Sequence, residues 1–189
     1  PKLWRYNLHY FDDLNAEDAL TRASWHYDFI TRWISGNPPA GGSGWEPYPT
    51  SLRIVNWTKF ALGGGVLSDE ARHSLAVQAR WLMQRLEWHL LGNHLFVNAK
   101  ALIFVGAFFD GKEAHSWMQK GLTILERELG EQLLPDGGQF ELSPMYHALM
   151  LEGLLDLVNL QRTYQLTAMF PLSERCGAAV IHMIRWLRI

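Results

Sequence analysis

Residues 44–57 read GWEPYPTSLRIVNW, residues 92–104 read GNHLFVNAKALIF, and residues 138–150 read GQFELSPMYHALM. The leading glycines stand 48 and 46 residues apart. Each stretch passes from a turn, through polar and aromatic residues, into a helical apolar pattern. A repeat of this length is one helical hairpin, which buries its apolar face only by stacking on its neighbours. The spacing therefore predicts an all-α chain in which three chemically rich turns emerge at equivalent ends of three helices.

The elements around these turns follow from periodicity and end signals. A helix is expected from Glu17 to Ile34, with Leu20, Trp25, Phe29 and Trp33 as its apolar stripe. Ser35 to Gly44 is a loop by composition. A helix from Ser51 to Leu62 ends at three glycines, and Ser68 caps another that runs to about Leu91. The stretch from Asn98 to Phe109 is apolar nearly all round and reads as a buried helix. Glu113 to Leu129 is amphipathic, Ser143 with Pro144 opens a helix to Tyr164, and Ser173 begins the last one. Apolar helices follow the glycine-led turns and amphipathic ones precede them. Antiparallel pairs then place the first kind inside and the second outside. Closed into a ring they form an α/α toroid, and left open a superhelical solenoid; periodicity leaves both possible.

Composition narrows the function. A hydrophobic content of 48% with 13% aromatics excludes a disordered chain. A formal charge of −2 gives no global basic field for nucleic acid, and no apolar run reaches membrane-spanning length. The single Cys176 has no partner for an internal disulfide. Residues 1–16 form an aromatic-rich N-terminal segment and 17–189 the helical domain. The chain starts at Pro1 without a leader pattern and stops inside the apolar run AAVIHMIRWLRI, so it reads as a fragment of a longer protein.

Nine tryptophans offer two uses. Trp81, Trp88, Trp117 and Trp186 lie within helical patterns and read as core. Trp4, Trp45 and Trp57 lie near turns, where a flat ring can cover the C–H face of a sugar. With the repeats aligned at Ser51, Asn98 and Ser143 as N-caps, Arg53 and Lys100 fall in one register and read as a pair of cations for an anionic ligand. Surface charge is the plainer reading of both. Asn93 and His94 follow a glycine at a turn. An asparagine amide can donate to a carboxylate, and an imidazole exchanges a proton near neutrality. Tyr146 and His147 stand in a first helical turn behind Glu141, where a tyrosine often merely packs. Glu46 and Glu141 occupy related turns and keep a two-carboxylate glycoside hydrolase open. Signatures for zinc proteases, paired-cysteine sites, P-loops and serine-hydrolase elbows are absent from the sequence.

The three blocks, in this order and at this spacing, resemble the heparinase II/III-like family of polysaccharide lyases, with relatives among alginate lyases. The opening LWRYNLHYFDDL also resembles the segment preceding the toroid there. The resemblance implies an incomplete α/α toroid followed by antiparallel β-sheet domains, here truncated at the C-terminus. It implies cleavage of uronic-acid-containing polysaccharide by β-elimination, without metal or cofactor, in the periplasm or outside the cell. Asn93, His94 and Tyr146 fall on its catalytic positions, with Asn93 and His94 expected to neutralise the carboxylate and Tyr146 to act as acid and base, and a further catalytic histidine is expected beyond Ile189. Trp45, Tyr48, Arg53, Trp57, Lys100, Glu141 and His147 are the expected substrate contacts. A non-catalytic module for anionic glycan and a protein-binding solenoid are the remaining alternatives.

Overall fold

The computed structural model describes residues 2–90 and 92–187. Its helices are α1 (Lys2–Asn7), α2 (Ala23–Gly36), α3 (Pro47–Leu62), α4 (Asp69–Met83), α5 (Asn93–Phe108), α6 (Lys112–Gln132), α7 (Pro144–Tyr164) and α8 (Phe170–Trp186). Short 3₁₀ turns fill Asp12–Asn15, Ala19–Arg22, Ser43–Trp45 and Thr167–Met169. Among the described residues there is no strand, only an isolated bridge between Leu133 and Gln139. The fold is an incomplete α/α toroid. An inner row, α3–α5–α7, is contiguous, and α4, α6 and α8 run back along the outside.

The middle of that row explains the packing. Leu95, Phe96, Leu102, Ile103 and Val105 of α5 are all buried, which its apolar sequence allows only because other helices surround it. Helix α6 lies unusually close. A side-chain carbon added at Gly106 would stand 2.9 Å from the Ala114 carbonyl, and one at Gly121 would stand 2.8 Å from that of Ala99. One glycine on each helix thus removes the Cβ that would hold the backbones apart.

Several ends differ from expectation, and the shifts matter for function. Helix α3 begins at Pro47 rather than Ser51, with Glu46 as its N-cap. Pro47 and Pro49 lack only amide hydrogens that a first turn leaves unpaired, so the prolines start the helix instead of blocking it. Helix α5 begins at Asn93 rather than Asn98, with Gly92 preceding it at φ 88°, a left-handed value suited to glycine. Helix α4 stops at Met83, and 84–90 form a loop; Leu91, the expected end, lies outside the described residues. Trp88 consequently sits exposed in this loop, with Lys120 and Arg127 over its ring, instead of in the core.

The Glu17–Ile34 helix is divided into the Ala19–Arg22 turn and α2, and it buries a different stripe. His26, Ile30 and Trp33 face inward, while Leu20, Trp25 and Phe29 are exposed. The inward face is fixed by polar anchors that hydrophobic periodicity does not register. His26 Nε2 pairs with Asp13 at 2.8 Å, and Trp33 Nε1 donates to His9 Nδ1 at 3.0 Å.

Candidate active site

With the starts corrected, Pro47, Asn93 and Pro144 are the first residues of the three inner helices. Tyr48 and His94 are then both second residues, and Tyr146 is a third. These helix N-termini share one rim of the toroid, where their unpaired amides and aligned dipoles favour a negative ligand.

The rim is tied together by hydrogen bonds. Asn93 is buried and donates from Nδ2 to the Tyr48 hydroxyl at 3.3 Å. The Tyr48 and His94 rings lie 4.6 Å apart, tilted by 44°. His94 Nδ1 lies 3.1 Å from Glu87 Oε1, and the His94 side chain remains 34% exposed. Burial raises the pKa of Tyr48, with smaller upward pushes from the nearby Tyr146 and Glu87, against the Asn93 hydrogen bond. Tyr48 therefore keeps its proton at neutral pH. Tyr146 is half-buried in the first turn of α7. Among the described residues nothing hydrogen-bonds its hydroxyl. Glu141 also reaches the rim: a Cβ at Gly92 would lie 2.8 Å from its Oε1. Gln139 holds it, accepting from its backbone N–H at 2.9 Å and donating to Oε1 at 3.2 Å.

Five of the expected substrate contacts are placed elsewhere. Trp45 and Trp57 are 3% and 0% exposed, packed with Trp33 in one aromatic cluster, so neither offers a face to a sugar. Arg53 is six residues into α3 and Lys100 seven into α5, so they do not share a register. Arg53 is fully buried, 3.8 Å from the Trp33 ring, and donates to Gln78 Oε1, the His9 carbonyl and Thr50 Oγ1. Lys100 is spent on Asp156 at 2.6 Å, which also binds Lys59 at 2.9 Å. His147 is 1% exposed, stacked on Trp186 at 4.6 Å with Nε2 against the Met183 carbonyl, and so ties α7 to α8. Tyr48 and Glu141 alone of this group stand at the rim.

The hydrolase alternative loses one carboxylate. The Tyr6 hydroxyl donates to Glu46, and Lys2 pairs with it at 2.7 Å. Burial alone would raise the pKa of Glu46, but these two partners outweigh it and leave the net shift downward. That shift is opposite to what a glycosidase's general acid needs, and the bonds to Tyr6 and Lys2 occupy Glu46 as the second, ionised carboxylate. A cavity of about 700 Å³ lies at the other end of the inner helices, lined by Lys59, Phe104, Asp156 and Tyr164 among others. Its Lys59–Asp156 pair is internally satisfied, so the rim is the stronger chemical candidate.

Glu87 is the rim residue that sequence reading missed. It is buried, and both carboxylate oxygens are engaged. Its position in a loop seven residues before His94 carries no periodic signal.

Comparison with known proteins agrees with this architecture. The profile of the family described as the heparinase II/III N-terminus matches residues 18–185. A heparin-sulfate lyase of Bacteroides thetaiotaomicron is 32% identical over 166 residues, covering 78% of this chain and 22% of the relative. One from Bacteroides stercoris is 41% identical over 81 residues, covering 42% and 12%. A solved heparinase III superposes with a TM-score of 0.70 at 22% identity, over 98% of this chain and 34% of that one. The heparan sulfate lyase of Pedobacter heparinus superposes with a TM-score of 0.68 at 24% identity, over 99% and 32%. The chain thus spans less than a quarter of these curated relatives and about a third of these solved structures.

Proposed function

The chain belongs to the heparinase II/III N-terminal family, and from that premise we propose that it is the toroid part of a polysaccharide lyase that cleaves uronate polymers by β-elimination. The observation that supports this most is the gathering of Asn93, His94, Tyr48 and Tyr146 at one rim, each with hydrogen-bonding capacity to spare.

Elimination breaks the C5–H bond beside the uronate carboxylate, forms the C4–C5 double bond and expels the C4 oxygen. The developing negative charge on the carboxylate needs donors already in place. Asn93 uses one amide hydrogen on Tyr48 and keeps the other for a carboxylate oxygen. The Tyr48 hydroxyl accepts that bond and keeps its own hydrogen for the same purpose. Tyr146 delivers a proton to the leaving oxygen. Where the C5 proton lies on the same sugar face as the leaving oxygen, Tyr146 also removes it. Where it lies on the opposite face, His94 Nε2 takes it.

Heparan-sulfate-like polymers are the first substrate class, after the heparin-sulfate lyases among its relatives, and alginate-like polymers the second. Such polymers lie outside the cytoplasm, so the enzyme acts in the periplasm or is secreted. The relatives are several times longer, and the further catalytic histidine and β-sheet domains come from the rest of the protein.

The test mixes the full-length protein with a panel of uronate polymers and follows absorbance near ~232 nm, which reports the new double bond, for wild type and Tyr146→Phe. A rise that disappears in the variant supports the lyase and identifies its polymer. Polymer binding without any rise turns the reading toward a non-catalytic glycan module.

A further inference from the structure

We propose that Glu87 is a positioning residue that holds His94 with its proton on Nδ1 and turns Nε2 toward the rim; this rests on the lyase reading for its catalytic consequence. A carboxylate offers only acceptors, so the 3.1 Å contact to His94 Nδ1 is a hydrogen bond when that nitrogen carries hydrogen. The neutral ring then has its lone pair on Nε2, the nitrogen left for substrate.

The carboxylate is itself fixed. Its Oε2 accepts from Asn98 Nδ2 at 3.1 Å, while the Glu87 backbone N–H donates to Asn98 Oδ1 at 2.9 Å. The same Asn98 amide donates to Ser51 Oγ at 3.0 Å, so the assembly is fastened to both α5 and α3. Tyr48 closes the other face of the imidazole. Among the described residues His94 is the only Lys, Arg or His within 4 Å of the Glu87 carboxylate. A carboxylate only 6% exposed is costly to keep, and its one basic partner is the proposed catalytic histidine. A glutamine at 87 has one acceptor oxygen for two donors, His94 Nδ1–H and Asn98 Nδ2, and its own amide hydrogens face one of them.

The first readout needs no substrate. Ring ¹⁵N shifts of His94 are recorded on the full chain near pH ~8.5, about two units above the ordinary imidazole value of ~6.5. The expected result is the Nδ1–H tautomer in wild type and a shift toward Nε2–H in Glu87→Gln. An Nε2–H ring in wild type overturns the proposal, however the variant folds. Identical tautomers in the two proteins overturn it as well. The second readout is turnover by the full-length protein. Glu87→Gln is expected to lower kcat by about 10²-fold with KM within about twofold, and to add nothing in a His94→Ala background. An undiminished effect in that background means that Glu87 does not act through His94. A wild type that eliminates no uronate polymer removes the lyase reading, and the tautomer measurement still decides the role of Glu87.

Discussion

Two polar assemblies on the inner helices, one at the rim and one further along, spend their valence differently. In the second, Asp156 of α7 accepts from Lys59 of α3 at 2.9 and 3.1 Å and from Lys100 of α5 at 2.6 Å. Its charges are consumed internally, and it works as a three-helix clasp. At the rim, Asn93 spends one amide hydrogen and His94 one ring nitrogen, and among the described residues their side chains make no further hydrogen bond. Residual hydrogen-bonding capacity, rather than the presence of charge, separates a reactive polar cluster from a structural one.

The largest difference between the two is expected from Tyr146→Phe against Asp156→Ala. Removing the Tyr146 hydroxyl should cost about 10²–10⁴-fold in kcat of the full-length protein, the usual range for a lost general acid, with the melting temperature unmoved. A thermal shift comparable to that of Asp156→Ala would make Tyr146 a packing residue and break the contrast. Asp156→Ala should cost about 3–5 kcal/mol in denaturant unfolding, since it leaves Lys100 enclosed without its counter-charge. A loss below about 1 kcal/mol would mean that the clasp is neutralised or hydrated some other way.

Acid sharpens the same contrast. Burial alone would raise the pKa of Asp156, but Lys100 and Lys59 override it and hold it below the ordinary carboxylate value. Burial also lowers the pKa of Lys100, against the pull of Asp156. The pair is ionised at neutral pH, because a lysine starts from ~10.5 and Asp156 has a second cation. A depressed carboxylate contributes stability that is complete above its unfolded pKa of ~3.9 and is lost as pH falls through the folded value. Stability measured from pH ~6 to ~2 should therefore fall less steeply in Asp156→Asn than in wild type. Equal slopes would remove Asp156 from the acid response.

The fold was legible because the 48- and 46-residue spacings and the alternation of apolar and amphipathic helices depend on bulk burial. The start of α3 was not, because Pro47 and Pro49 look like loop residues until the first-turn exemption for proline is applied. That shift carried Arg53 and Trp57 from the expected groove into the core. The inward stripe of α2 was hidden for a related reason: His26 and Trp33 are held by Asp13 and His9, while the equally apolar Trp25 and Phe29 face solvent. At the candidate site the sequence supplied the residues on the turns. It did not supply Glu87, because a buried carboxylate in a loop has no period, and only the fold brings it to His94.

The smallest expected effect tests whether the clasp is one unit or two pairs. Lys59 is 31% exposed at its side chain, whereas Lys100 is 12% exposed. Solvent screens the outer pair, so Lys59→Met should cost no more than about 1 kcal/mol. Asp156 then keeps Lys100 at 2.6 Å, and the acid-dependent loss of stability should persist in that variant. A double-mutant cycle of Lys59→Met with Asp156→Asn measures the coupling directly. Coupling of several kcal/mol would mean that Lys59 compensates the buried pair as a whole. The clasp would then be a cooperative triad, and its outer lysine as necessary to the toroid as its inner one.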